Sequence, residues 1–357
     1  MTAALVPDGA TSERARTIGR GVLRWVAALT GAFVVFGVLM AIKGADPIAA
    51  YREMFVTTFR ADSLGEILTK ATPIVLAALA VAIPARAGLT NVGGEGQLVL
   101  GGIAAAGVVQ YGGGDLPAGV ALVLMAVAAA LAGAVWGAFA GVLRQAFRIN
   151  EAVSTLLLNY LAIDLMSFLI YDSWKDPNGS GQPATADLPV PVRLPLIGSL
   201  DVHAGFILAV IAVVVTSVVL YRTAWGFRLR VVGGNPEAAR RSGFRVGLLV
   251  VGALMAGGAL AGLGGFAQLA GAEFKLRPGF LVEYGYIGFL ASWFARHKPV
   301  PAALAAVALA AITIAGDSLQ IDAGLPAASV NILLAFVLLA VFGWTRRNRV
   351  GLRAAAA

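Results

Sequence analysis

The sequence has no cysteine, only two histidines and just 13% charged residues in 357 positions. Without cysteine there is no disulfide framework, no thiolate nucleophile and no cysteine-ligated metal. With only His203 and His297, and with no H-E-x-x-H or G-x-S-x-G, the signatures of zinc and serine hydrolases are missing. Both histidines read as interfacial residues, one beside an outer loop and one in a basic cluster. No G-x-x-x-x-G-K-[ST] occurs, because none of the lysines follows glycine or precedes serine or threonine. The chain therefore has no P-loop to cradle nucleotide phosphates. If ATP drives it, hydrolysis belongs to another polypeptide.

What the chain has in excess is apolar side chains, at 59% hydrophobic residues with a mean hydropathy of +0.83. A soluble domain carries about 25% charged residues, and no soluble core of this size could hide so much apolar surface. About ten spans of roughly 20 residues account for the excess. The fold class this implies is an all-α membrane protein. The net charge of +8, from 27 Lys+Arg against 19 Asp+Glu, fits arginines gathered in cytoplasmic loops and at anionic headgroups of the lipid bilayer. No nucleic acid partner is expected.

Hydropathy divides the chain at recognisable points. A polar stretch, residues 1–24, carries Arg14, Arg16, Arg20 and Arg24 and reads as a cytoplasmic tail leading into an uncleaved first span, Trp25–Ile42. Further spans are expected at about Glu66–Pro84, Gly96–Tyr111, Ala118–Leu143, Ala152–Tyr171, Ala204–Tyr221, Gly247–Ala272, Tyr284–Ala295, Val300–Gly316 and Ala328–Trp344. The span at Tyr284 is too short to cross as a simple helix. The Pro- and Asp-rich stretch Asp172–Asp201 should face outside, and the arginine-rich loop at about 222–246 should face the cytoplasm. Residues 25–345 thus form the membrane domain and 346–357 a basic cytoplasmic tail, with both ends inside. Glycine-rich interruptions at residues 86–97 and 273–279 fall at corresponding places if two halves are related by an inverted repeat, and such pairs point to a transport pathway.

Polar residues at membrane depth carry the chemistry. Glu95 sits among Gly93, Gly94 and Gly96, where Asn91, Glu95 and Gln97 can satisfy one another, either tying off a broken helix or lining a route for a polar solute. Asn150 and Glu151 read as a helix cap, while Asn159 and Asp164 point about 140° apart on one helix. Asp164 is a candidate buried charge. Gly133, Gly137 and Gly141, like Gly258 and Gly262, recur every four residues and mark faces where helices pack closely within the chain. Tyr286, Phe289 and Trp293 could stack on a base or sugar ring, or form an interfacial belt. In the basic loop, Asn235 as cap, Pro236 at the first helical position, Glu237 on the dipole and Gly243 as terminator spell a short surface helix with Ala238, Ala239 and Arg240 inside it. That helix is either a headgroup connector or a docking element.

The segment Pro236-Glu237-Ala238-Ala239 with Gly243 resembles the coupling-helix motif of ABC importer permeases, the element that contacts the ATPase. Gly88-Leu89-Thr90-Asn91-Val92-Gly93-Gly94-Glu95-Gly96-Gln97 is similar to the G-L-x-N-I-G-x-E-G-Q signature of the ribose/branched-chain-amino-acid type, in its nucleoside and simple-sugar branch. Asn150–Tyr160 resembles that branch's N-E-V-I-S-T-x-M-L-N-Y, and Gly285-Tyr286-Ile287-Gly288-Phe289 its G-Y-x-G-I. The resemblance implies a permease in a bacterial inner membrane with no cofactor of its own, ATP and Mg being held by partner ATPase subunits. It also implies a second permease, homologous or identical, and an extracytoplasmic solute-binding protein. Nucleosides are the preferred solutes on this resemblance, with monosaccharides or branched-chain amino acids as alternatives. The residues alone leave open an ion-coupled secondary transporter.

Overall fold

Continuous apolar sequence with small residues and few breakers makes helix the only economical structure, because a helix satisfies its own backbone in lipid. The computed structural model describes residues 26–27, 30–60, 63–112, 116–322, 329, 331–337 and 339. The helices are α1 (Thr30–Ile42), α2 (Pro47–Thr58), α3 (Ser63–Arg86), α4 (Gly94–Gly112), α5 (Ala118–Phe147) and α6 (Glu151–Tyr171). After a 3₁₀ turn (Val190–Val192) and a two-residue hairpin, β1 (Leu196–Ile197) with β2 (Val202–His203), come α7 (Gly205–Arg222), α8 (Ala224–Gly234), α9 (Pro236–Arg241) and α10 (Val246–Gln268). A π-type turn, Leu269–Glu273, extends α10 before α11 (Tyr284–Phe294) and α12 (Pro299–Asp322).

Among the described residues, six helices are long and apolar enough to cross a bilayer: α3, α5, α6, α7, α10 with its π turn, and α12. Of the other spans expected from sequence, α1 and α11 are shorter, α4 opens on Gly94-Glu95-Gly96-Gln97, and Ala328–Trp344 is described only at 329, 331–337 and 339. The 1–24 and 346–357 tails also lie outside them. The helix α2 lies between the first two spans expected from sequence and matches neither. Asp46 starts it, its carboxylate accepting from the amides of Ile48 at 2.9 Å and Ala49 at 3.4 Å.

The chain divides into two units. In the first (Met1–Thr58 with Ile312–Ala357), Tyr51 of α2 meets Phe33 of α1 edge-on at 5.6 Å and its hydroxyl donates to the Phe33 carbonyl. The second (Phe59–Ala311) is built around α10, which lies against α3, α4 and α5. From Ala71 to Pro84, α3 is buried on every face, as expected of a helix apolar all round. The glycine ladders act within the chain. A Cβ on Gly133 would strike the Gly258 carbonyl and one on Gly258 the Gly133 carbonyl, so α5 and α10 touch backbone to backbone.

The segment after α6 is less of a free loop than its Pro and Asp content suggested. Trp174, Leu188 and Val192 are buried in the same core, and the strand of chain they sit on pairs with the stretch after α10. The amides of Thr185, Leu188 and Leu194 donate to the carbonyls of Leu276 (3.0 Å), Phe274 (2.7 Å) and Ala270 (2.7 Å). Those carbonyls follow a helix end whose own ladder has run out, and the strap satisfies them.

Candidate functional site: a helix junction and a capped elbow

Residues 87–93 leave helical geometry between α3 and α4, so their buried amides and carbonyls need partners. Helix α6 supplies them from three side chains spaced four apart and hence on one face: Glu151, Thr155 and Asn159. Thr90 N donates to Glu151 Oε1 (3.1 Å) and Val92 N to Thr155 Oγ1 (3.1 Å). Asn159 Oδ1 accepts from Gly96 N (2.8 Å), while its Nδ2 donates to the Val92 carbonyl (3.0 Å) and the Tyr286 hydroxyl (3.3 Å). Glu151 also pairs with Arg144 of α5. The capping role expected of Asn150 is present, its side chain accepting from Ala152 N at 2.8 Å.

Within the break, Asn91 and Gln97 exchange two amide hydrogen bonds, 3.1 and 3.2 Å, and Asn91 reaches the Ala80 carbonyl at 3.1 Å. Glu95 does not join them, contrary to the expectation that all three satisfy one another. Two residues along a helix are about 200° apart, so Glu95 and Gln97 face opposite ways. Glu95 turns instead to the start of α11, accepting from Glu283 N at 2.5 Å and Gly285 N at 2.7 Å. Gly94 and Gly285 make this approach feasible, since a Cβ on Gly285 would overlap the Glu95 backbone. The first interruption therefore meets the start of the short helix that follows the second.

Of the residues expected on a solute route, Asn91, Glu95, Gln97 and Asn159 are buried, with relative exposures of 0, 2, 1 and 0%, and bonded within the chain. Tyr286, Phe289 and Trp293 share the more open face of α11, Phe289 and Trp293 lying 5.8 Å apart. Asp164, the candidate buried charge, is exposed on α6 beside Tyr160 and Phe168, because Asn159 takes the inward face. His203 is a second correction: it is fully buried rather than interfacial. Its Nδ1 accepts from Gly205 N at 3.1 Å, Nε2 has no partner among the described residues, and burial pulls its pKa down to about 4. His297, in the turn after α11, also sits at about 4, through burial and then the nearby Arg86 charge.

At the elbow, α9 forms as its sequence dictates. Asn235 accepts from the amides of Glu237 and Ala238 at 3.0 Å each, with Pro236 at the first helical position. Glu237 holds Arg240 (2.8 Å) and Arg241 (3.4 Å). Gly243, at φ +82°, closes the helix while Phe244 N reaches back to the Ala239 carbonyl at 3.0 Å. Ala239 is buried in the packing under the elbow, and Asn235, Pro236, Glu237, Ala238, Arg240 and Gly243 are exposed.

The family model described as "Branched-chain amino acid transport system / permease component" matches residues 63–342, taking in both the junction and the elbow. The chain belongs to this permease family. The permease is 36% identical over 341 residues to the glucose ABC transporter permease protein TsgB13 of Haloferax volcanii, covering 92% of this chain and 89% of that one. It is 31% identical over 282 residues to the guanosine ABC transporter permease protein NupP of Bacillus subtilis, covering 78% and 80%. It is 26% identical over 330 residues to the nucleoside ABC transporter permease protein NupB of Lactococcus lactis, covering 89% and 90%. The permease is a multi-pass membrane subunit of an ABC importer, a transport component and not an enzyme, with ATPase activity in a separate subunit. Membership implies ATPase and solute-binding partners. Among the described residues no cluster of three or more His, Cys, Asp or Glu could hold a metal.

Proposed function

We propose that the permease imports nucleosides, paired with a second permease, homologous or identical, and driven by ATPases that hold ATP and Mg and dock on α9. A solute-binding protein would deliver the nucleoside from the outer side. The reading is carried by the face of α11, where Tyr286, Phe289 and Trp293 line up at helical spacing and remain partly open. Flat aromatic faces suit a base or the apolar face of a sugar ring. Asn91, Glu95, Gln97 and Asn159 then act as the frame that holds this face, and Asn159 reaches the Tyr286 hydroxyl directly. A hexose is the second reading, supported by the 36% identity to a permease named for glucose. ATP binding would bias the spans between outward and inward openings, which requires a different affinity in the two states.

The test is reconstitution of the permease with its partners in proteoliposomes and uptake of guanosine, adenosine, glucose and leucine. ATP-dependent nucleoside uptake that vanishes without the ATPase is expected. Glucose uptake alone would select the hexose reading. Concentration of a solute by the permease without an ATPase, collapsed by an uncoupler, would replace the whole scheme with ion coupling.

A further inference from the structure

Helix α11 has only 11 residues, yet it is gripped at both ends by charges from one stretch, residues 86–97. At its N-terminus stands the Glu95 carboxylate. At its C-terminus stands Arg86, the last residue of α3, whose Nη2 donates to the His297 carbonyl at 3.0 Å and to the Tyr221 hydroxyl at 2.8 Å. An acid at the N-terminus and a base at the C-terminus both complement the helix dipole.

The turn that Arg86 holds is unusual. His297 N reaches back to the Ser292 carbonyl at 2.7 Å and Arg296 N to the Trp293 carbonyl at 3.0 Å, a helix end that normally uses glycine. Here Arg296 and His297 adopt φ of +51° and +57° in succession. Non-glycine residues stay in that region only when their surroundings impose it. The Arg86 bond to the His297 carbonyl, and the His297 ring against Ser292 Oγ at 3.1 Å and Trp293 at 4.9 Å, are what impose it.

Arg86 also touches the elbow. A Cβ on Gly233 would strike the Arg86 carbonyl, and the Cβ of any residue replacing Gly88 (φ +75°) would face the Gly233 backbone at 3.4 Å. Gly233 lies two residues before Asn235, the cap of α9. Gly233, at the end of α8, thus joins the elbow by backbone contact to residues 86–88, and the guanidinium joins these to the ends of α7 and α11. Arginine suits the task because it stays charged and offers a planar fork of donors. Its buried Nε has no partner among the described residues, which leaves the side chain held by one end only.

We propose that Arg86 is the positioning residue that transmits movement of the α9 elbow to α11, and so couples ATPase docking to opening of the aromatic face. This rests on the proposed docking at α9.

The test uses the full transporter, with its ATPase and solute-binding partners, in proteoliposomes. Because the permease has no cysteine, Lys298→Cys just beyond the turn provides a single labelling site. Its reaction rate with a thiol reagent is expected to change when a non-hydrolysable ATP analogue is added. Arg86→Ala should remove that change and lower solute imported per ATP hydrolysed by about tenfold or more, the scale of a lost charged hydrogen bond, while the ATPase still co-purifies. Arg86→Lys, which keeps the charge without the fork, should fall between. If Arg86→Ala is not recovered folded, Tyr221→Phe, which deletes one acceptor, should lower the same ratio. Unchanged uptake per ATP and unchanged nucleotide-dependent labelling in Arg86→Ala, or in Tyr221→Phe where that variant stands in, would overturn the proposal. The docking reading fails separately, if Glu237→Lys leaves both co-purification and uptake intact.

Discussion

Glu95 Oε2 accepts the amide of Gly285 at 2.7 Å, a bond that joins positions 190 residues apart and fastens the start of α4 to the start of α11. Its companion, Glu283 N to Oε1 at 2.5 Å, leaves neither oxygen idle. Two helix N-termini converge on one carboxylate, and each is stabilised by negative charge there. The bond ties the first glycine-rich interruption to the short helix at Tyr284.

Replacing Glu95 with glutamine keeps the size but removes the charge and turns one acceptor into a donor facing an amide. The expected cost is about 2–3 kcal/mol, the worth of hydrogen bonds to a charged group. Thermal unfolding of the detergent-purified permease should show a lower Tm, with Glu95→Ala lower still. An unchanged Tm for both would mean that the junction is not what holds α11.

Gly133 and Gly258 admit no Cβ without moving two helix backbones. Gly133→Ala is expected to destabilise by about 1–3 kcal/mol, as overpacking does, and Gly133→Leu to prevent recovery of monodisperse protein. Size-exclusion profiles of the two variants check this. Normal behaviour of Gly133→Leu would show that α5 and α10 are not in backbone contact.

Glu237→Lys reverses charge at the first turn of α9 and breaks the contacts to Arg240 and Arg241. These are exposed ion pairs and contribute little to stability, so expression and Tm should hold. Transport should disappear through lost ATPase coupling, measured as uptake beside co-purification of the ATPase.

His203 and His297 both have a pKa of about 4, below the ordinary 6.5 of the unfolded chain. Unfolding at lower pH therefore takes up protons. Stability from the neutral rings is complete above pH 6.5 and is lost as the pH falls from there toward 4. Tm measured between pH 7.5 and 4 should drop over that window, and His203→Gln should flatten the drop. A Tm that is level down to pH 4.5 would contradict the burial of these rings.

The elbow was legible almost residue by residue, since capping is local: Asn235, Pro236, Glu237 and Gly243 act within one short helix. The helix positions were legible too, because a backbone in lipid has few options. The junction was legible only in part. Its amide pair, Asn91 with Gln97, lies within six residues, but the partner of Glu95 is 190 residues away. Thr155 shows its four-residue spacing from Glu151 and Asn159 in the sequence, but nothing local names the Val92 amide it meets. Arg86 reads only as the first residue of the 86–97 interruption, because nothing local reveals that the His297 carbonyl awaits it.

Composition made this a membrane protein, the missing G-x-x-x-x-G-K-[ST] left it without a P-loop, and hydropathy with capping residues placed its long apolar helices and its elbow. Those properties depend on neighbours within a turn or two, or on the sum over all residues. The inward burial of Asn159, the outward turn of Asp164 and the clamping of α11 between Glu95 and Arg86 came only with tertiary structure. They depend on which helices lie side by side, and a side chain's spacing along one helix fixes its direction but not what it meets there.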